Sequence, residues 1–124
     1  MKGTPEEVLK AIPDYTDLLS LAQTISGLMY RKLSLEAQIK EGESLVFRTA
    51  NTDEKYFQNG KPPASTFVDN TYKYPGLAGE LLPLRTELAR VIAELEGKRL
   101  ELDIYKTMIE VWRTLSSNSR SVAL

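Results

Sequence analysis

The sequence predicts an all-α fold: a long helical hairpin with an irregular central loop, packed coiled-coil fashion into a homo-oligomer. Three observations predict it. Leu77, Leu81, Leu84, Leu88, Val91, Leu95, Lys98, Leu102, Tyr105, Ile109 and Trp112 alternate in steps of four and three, with Lys98 the polar interruption. Leu18, Leu21, Ile25, Leu28, Lys32, Leu35, Ile39, Gly42 and Val46 do the same earlier in the chain. Between these stripes lies a turn-rich, aromatic-bearing segment. A seam repeating about every 3.5 residues keeps a supercoiled helix facing its partner.

The 124 residues suit a single helical domain. A short N-terminal helix belongs within about 1–13. Thr4 caps it, Pro5 suits its first position, and Glu7 completes a capping box. Pro13 ends it by pushing Ile12 out of helical geometry. Asp14 or Thr16 caps the next helix, over about 17–50. Gly27 and Gly42 weaken that helix by about 1 kcal/mol each relative to Ala, unless a small residue there lets another helix come close. Residues 51–75 form the loop, with turn chemistry at Asn59-Gly60 and Lys61-Pro62-Pro63. Ala64–Asn70 fits a short strand or a helical turn equally. The second long helix spans about 76–115. Pro83 either lies in the first turn of a helix starting near Leu82 or kinks a longer one. The Ser/Asn-rich tail, 116–124, is expected to be flexible.

Helix two carries an apolar face wider than its seam: Ala89, Ile92, Leu100, Ile104, Met108, Val111 and Leu115 flank it. So broad a stripe meets two neighbours rather than one. Leu100, Ile104, Met108, Val111, Trp112 and Leu115 are the expected oligomer interface, with closed symmetry.

Composition narrows the chemistry. There is no Cys, so neither disulfide nor thiolate is possible. There is no His, the commonest metal ligand and the usual base near neutral pH. No phosphate-binding glycine loop, nucleophile elbow or zinc spacing occurs. The acids are mostly helix-surface partners of nearby bases, as in Glu36–Lys40 and Glu94–Lys98. The chain is read as not an enzyme, with no cofactor and no metal. No stretch is apolar enough to span a bilayer, and the start is not a signal peptide. A cytoplasmic location is expected.

The net charge of −1 requires any nucleic-acid contact to come from a local patch, or from its repetition in a ring. The central segment offers one. Phe47, Tyr56, Phe57, Phe67, Tyr72 and Tyr74 are interleaved with Arg48, Lys55, Lys61 and Lys73. Cations that follow a backbone, beside aromatic faces that stack on bases, make a sequence-tolerant single-strand binder. The same aromatics equally suit a loop packed back onto a hairpin. Lys32 and Lys98 fix register, line a groove for a strand, or carry their charge out to solvent.

The order of parts adds a resemblance. A helix ends in Leu45-Val46-Phe47-Arg48. An insert follows, EKYFQNGKP at 54–62, then a stretch ending in Tyr74. The long helix LRTELARVIAELEGKRLELDIYK, 84–106, closes on Trp112-Arg113-Thr114-Leu115. From about Leu18 to about Arg120 this resembles the UvsY-like recombination mediators of tailed phages, in architecture and spacing. The resemblance implies a small helical oligomer that binds single-stranded DNA. It also implies help in displacing the single-strand binding protein and in loading the phage recombinase, in the host cytoplasm. The family's basic motif falls at Leu45–Arg48, with one basic residue where the family usually carries more; Lys55 or Lys61 then compensates. Arg48, Lys55, Lys61, Phe47, Tyr56 and Phe57 are the expected DNA-binding residues. The rival expectation is a structural or scaffolding coiled-coil protein of a virion or assembly, without nucleic-acid binding.

Overall fold

A computed structural model describes the backbone of residues 3–123 and the side chains of residues 3–118. The elements are α1 (Pro5–Ala11), α2 (Tyr15–Thr52), a 3-10 turn (Glu54–Tyr56), α3 (Ser65–Thr71) and α4 (Leu82–Ala123). No strand occurs among the described residues. The fold is hairpin-like, one long helix packing against another.

Local chemistry sets the boundaries. Thr4 and Glu7 form the capping box of α1, and Ile12 leaves helical geometry just before Pro13. The Asp14 carboxylate accepts from Asp17 N at 3.0 Å and caps α2. Neither proline nor paired glycines interrupt α2, which runs two residues past the expected end at 50. The heptad pattern placed the start of the second long helix at 76, but α4 begins at Leu82. Gly76 and Gly79 have φ of 88° and 77°, left-handed backbone that a helix cannot contain. The Glu80 carboxylate accepts from Leu77 N (3.1 Å) and Ala78 N (2.7 Å), which holds this turn; its own backbone N–H first, and then that of Ala78, lower its pKa. Pro83 then sits in the first turn, where its missing N–H costs nothing. At the other end α4 is helical through Ala123, where the pattern placed its end at 115. No Gly or Pro follows Gly97 to stop it.

The chain divides into two compact units. Each takes a stretch of both long helices. Unit one is Met1–Leu28 with Glu94–Leu124, and its buried residues are Val8, Leu21 and Leu95. Unit two is Met29–Ala93. Its core cluster is Val46, Ala50, Val68 and Leu81, with Phe47, Tyr56, Tyr72, Leu77 and Leu84 packed against it. Full burial of a side chain such as Val46 or Leu81 contributes about 1.5–3 kcal/mol. Ala64–Asn70, open between strand and helix in the sequence, is helical as α3. That places Val68 fully in this core, and the described residues hold no strand for an extended segment to pair with.

Every stripe residue is buried or half-buried, so both heptad stripes are the packing seams. Gly42 is where the seam of α2 meets Leu81. A Cβ there would collide with Leu81 Cδ2, while nothing approaches a Cβ built on Gly27 or Gly97. These positions separate close approach from mere weakness. Gly42→Ala is expected to destabilise by about 1–3 kcal/mol, because Leu81 is buried and has little room to turn. Gly27→Ala and Gly97→Ala are each expected to stabilise by up to about 1 kcal/mol. Denaturant midpoints of the three variants check this, and a stabilised Gly42→Ala would contradict the packing.

Candidate nucleic-acid interface

Lysine at a heptad seam is the first charge to account for. Lys32 Nζ lies 3.9 Å from Glu36, and Lys98 Nζ lies 3.4 Å from Glu101; both side chains are over a third exposed. Each head reaches an acid one turn away on its own helix. The pairs differ from the sequence expectation: Glu36 is held by Lys32 rather than Lys40, and Lys98 turns to Glu101. Glu101 also accepts from the Tyr105 hydroxyl at 3.3 Å. Desolvation and the Glu101 charge raise the Tyr105 pKa.

In unit two the cations fall into two classes. Arg31 pairs with Glu87 (3.1 Å), Arg90 pairs with the same carboxylate, Lys73 pairs with Asp69 (3.4 Å), and Arg85 pairs with Glu43 (2.8 Å). Lys40, Arg48, Lys55 and Lys61 make no ion pair among the described residues, and all four are exposed. Arg48 stands in the last turns of α2, where its backbone carbonyl accepts from the Thr52 hydroxyl at 2.7 Å. Lys55 lies in the 3-10 turn, which Asp53 caps through Lys55 N at 3.0 Å. Its Nζ is 5.6 Å from the Tyr56 ring centroid. Lys61 closes a two-residue turn in which Gln58 and Lys61 exchange both backbone hydrogen bonds across Asn59-Gly60. Asn59 and Gly60 are both left-handed there, as such a turn requires.

The aromatics are mostly committed to packing. Phe47 and Tyr56 lie against the core cluster. Tyr56 and Tyr72 meet edge to face with centroids 5.8 Å apart, and Phe67 meets Tyr72 likewise at 6.0 Å. Phe57 is half-buried at the end of the 3-10 turn. The structure thus ties Tyr56, Tyr72, Phe67 and Lys55 into one strip, in which Phe67 is the exposed ring.

Arg85 carries a role that the sequence pattern missed. Its Nε donates to the Tyr74 carbonyl (2.7 Å), its Nη2 to the Lys73 carbonyl (3.2 Å) and to Glu43 Oε2 (2.8 Å). Its guanidinium lies over the Tyr74 ring, 4.3 Å from the centroid. One side chain on α4 therefore fastens the end of the loop to both long helices.

Of the expected oligomer interface, Leu100 is 62 % and Ile104 52 % exposed. Met108, Val111, Trp112 and Leu115 are half-buried. Thr107, Glu110, Val111, Thr114 and Leu115 line a shallow groove of about 270 Å³. No described helix is long and apolar enough to cross a membrane.

Glu87 gives a measurable signature of the charge arrangement. Hydrogen bonds from Arg90 and then Arg31 lower its pKa from 4.5 to about 2. A depressed carboxylate contributes stability that is present above its unfolded pKa and lost as pH falls from about 4.5 toward 2. Its carboxyl carbon resonance is expected to titrate near 2 and to move toward 4.5 in Arg90→Gln. An unshifted titration near 4.5 in the wild type would contradict the bridging geometry. No protein-family model, curated protein or solved structure matches this chain, so the reading of the site rests on its own residues.

Proposed function

We propose that the chain is a non-enzymatic phage recombination mediator. In this reading it binds single-stranded DNA as a closed homo-oligomer, a ring, in the host cytoplasm, and assists loading of the recombinase against the single-strand binding protein. The recombinase and the single-strand binding protein enter through the resemblance to UvsY-like mediators. The observation that supports DNA contact is the division of charge in unit two. Arg48, Lys55 and Lys61 lie between residues 48 and 61 without ion pairs among the described residues, while Arg31, Lys32, Lys73, Arg85 and Arg90 have carboxylate partners. An exposed cation without an acid beside it is available to phosphate. The cations are few per chain, so affinity grows with the number of copies presented together. Exposure of Leu100 and Ile104 supports association of the chains.

The packing of Phe47 and Tyr56 against the core favours the other reading, a structural coiled-coil component without nucleic-acid binding. In that reading the loop aromatics are core residues and the cations serve solubility.

Fluorescence anisotropy with a labelled single strand of about thirty nucleotides separates the two. The mediator reading expects sequence-tolerant binding, weaker for duplex, that falls steeply between about 50 and 200 mM salt. Each phosphate contact adds about 0.7 to the logarithmic salt slope on a single strand, so Arg48→Ala and Lys61→Ala flatten it. Absence of binding at low salt would leave the structural reading. Association has its own check. Leu100→Asp with Ile104→Asp changes only exposed positions of the single chain, so it is expected to leave each chain folded and to lower the sedimenting mass. A wild type that sediments as a monomer at micromolar concentration would end the oligomer proposal.

A further inference from the structure

Tyr74 is 63 % exposed, although it is among the most firmly anchored residues of the loop. Its carbonyl accepts from Arg85 Nε, and its ring rests on the Arg85 guanidinium. Arg85 is itself immobilised by Glu43 and the Lys73 carbonyl, and its side chain is only 19 % exposed. Around this stack is a cleft of about 220 Å³ lined by Glu43, Asp69, Lys73, Tyr74 and Arg85. One face of the ring packs on Arg85 while much of the rest stays in water.

We infer that Tyr74, stacked on Arg85, is the platform on which a nucleobase of single-stranded DNA stacks, with Lys73 meeting the adjoining phosphate. This rests on the single-strand reading above and adds a site to it. Three features carry the assignment. The ring is ordered before the ligand arrives, so stacking costs little side-chain freedom. Glu43 and Asp69 each already hold a cation, so the cleft has no net charge to attract a small anion, whereas a planar neutral base is not repelled. Among the described residues the Lys73 ammonium is held by Asp69 in an exposed pair one turn away, a weak contact that a phosphate can replace. Arg85 under the ring draws electron density from it, which suits an electron-rich base on the opposite face.

Anisotropy titrations with oligo(dT), on the full chain at two salt concentrations, test this. Tyr74→Ala and Tyr74→Leu are expected to weaken binding about tenfold or more with an unchanged salt slope, because stacking releases few ions. Tyr74→Trp is expected to bind as the wild type does, and its fluorescence to be quenched by the strand beyond the change of Trp112 in the wild type. Asp69→Asn is expected to tighten binding severalfold at low salt, because Lys73 then has no competing partner. Tyr30→Ala, at a still more exposed tyrosine elsewhere in unit two, is expected to change nothing. Wild-type binding that survives intact in both Tyr74→Ala and Tyr74→Leu overturns this site and leaves the single-strand reading standing. A wild type that does not bind overturns both.

Discussion

The packing of α2 against Leu81 is the constraint on which unit two depends. Gly42 removes the one side chain that would hold Leu81 away from α2. Leu81 then completes the cluster with Val46, Ala50 and Val68. Val68 belongs to α3, so the same cluster decides where the loop lies. The turn from Pro75 to Glu80 exists to deliver Leu77 and Leu81 to that cluster before helical geometry begins. Its two left-handed glycines and its Glu80 carboxylate are the means. A larger residue at 42 would therefore disturb the long helices and the loop together.

The seams were legible in the sequence because burial on a helix repeats with a short period. Val46, Leu81, Val91 and Leu95 could be read from spacing alone, as could the Thr4 capping box and the Asn59-Gly60 turn, while spacing left Asp14 and Thr16 both able to cap α2. Each is a signal confined to a few neighbouring residues. What escaped were choices made across long separations or between near-equal local options. Arg85 lies beside Leu84 in an ordinary charged helix pattern, and nothing in that pattern points to carbonyls at 73 and 74 or to Glu43. Whether Lys98 turns toward Glu94 or Glu101 depends on small rotamer differences. Ser116–Asn118 look like a fraying tail by composition, but Leu115 and Ser116 are half-buried and the helix continues. Gly76 and Gly79 were visible as residues, but only their left-handed backbone shows why the helix waits until Leu82.

The candidate site is legible to a similar degree. The sequence picks out Arg48, Lys55 and Lys61 as cations near aromatics, and the structure finds all three without a carboxylate partner among the described residues. The aromatic choices fare differently. Phe47 and Tyr56 pack inward, whereas Tyr74 stands out in solvent on a guanidinium. Sequence spacing cannot separate these cases, because a ring that stacks on a ligand and a ring that fills a core have the same composition. Only the contact partner distinguishes them. Tyr56 touches Tyr72 and the core, and Tyr74 touches a charged group and water.

The account joins a basic segment at the end of α2 to an exposed stack at the start of α4, both in unit two. Amide chemical-shift mapping during titration with a short single strand tests that joining most directly. The account predicts perturbations concentrated at residues 48–61 and at 73–74, with Leu21 and Val8 in unit one unaffected. Perturbations confined to unit one, or none at concentrations that saturate binding, would contradict it.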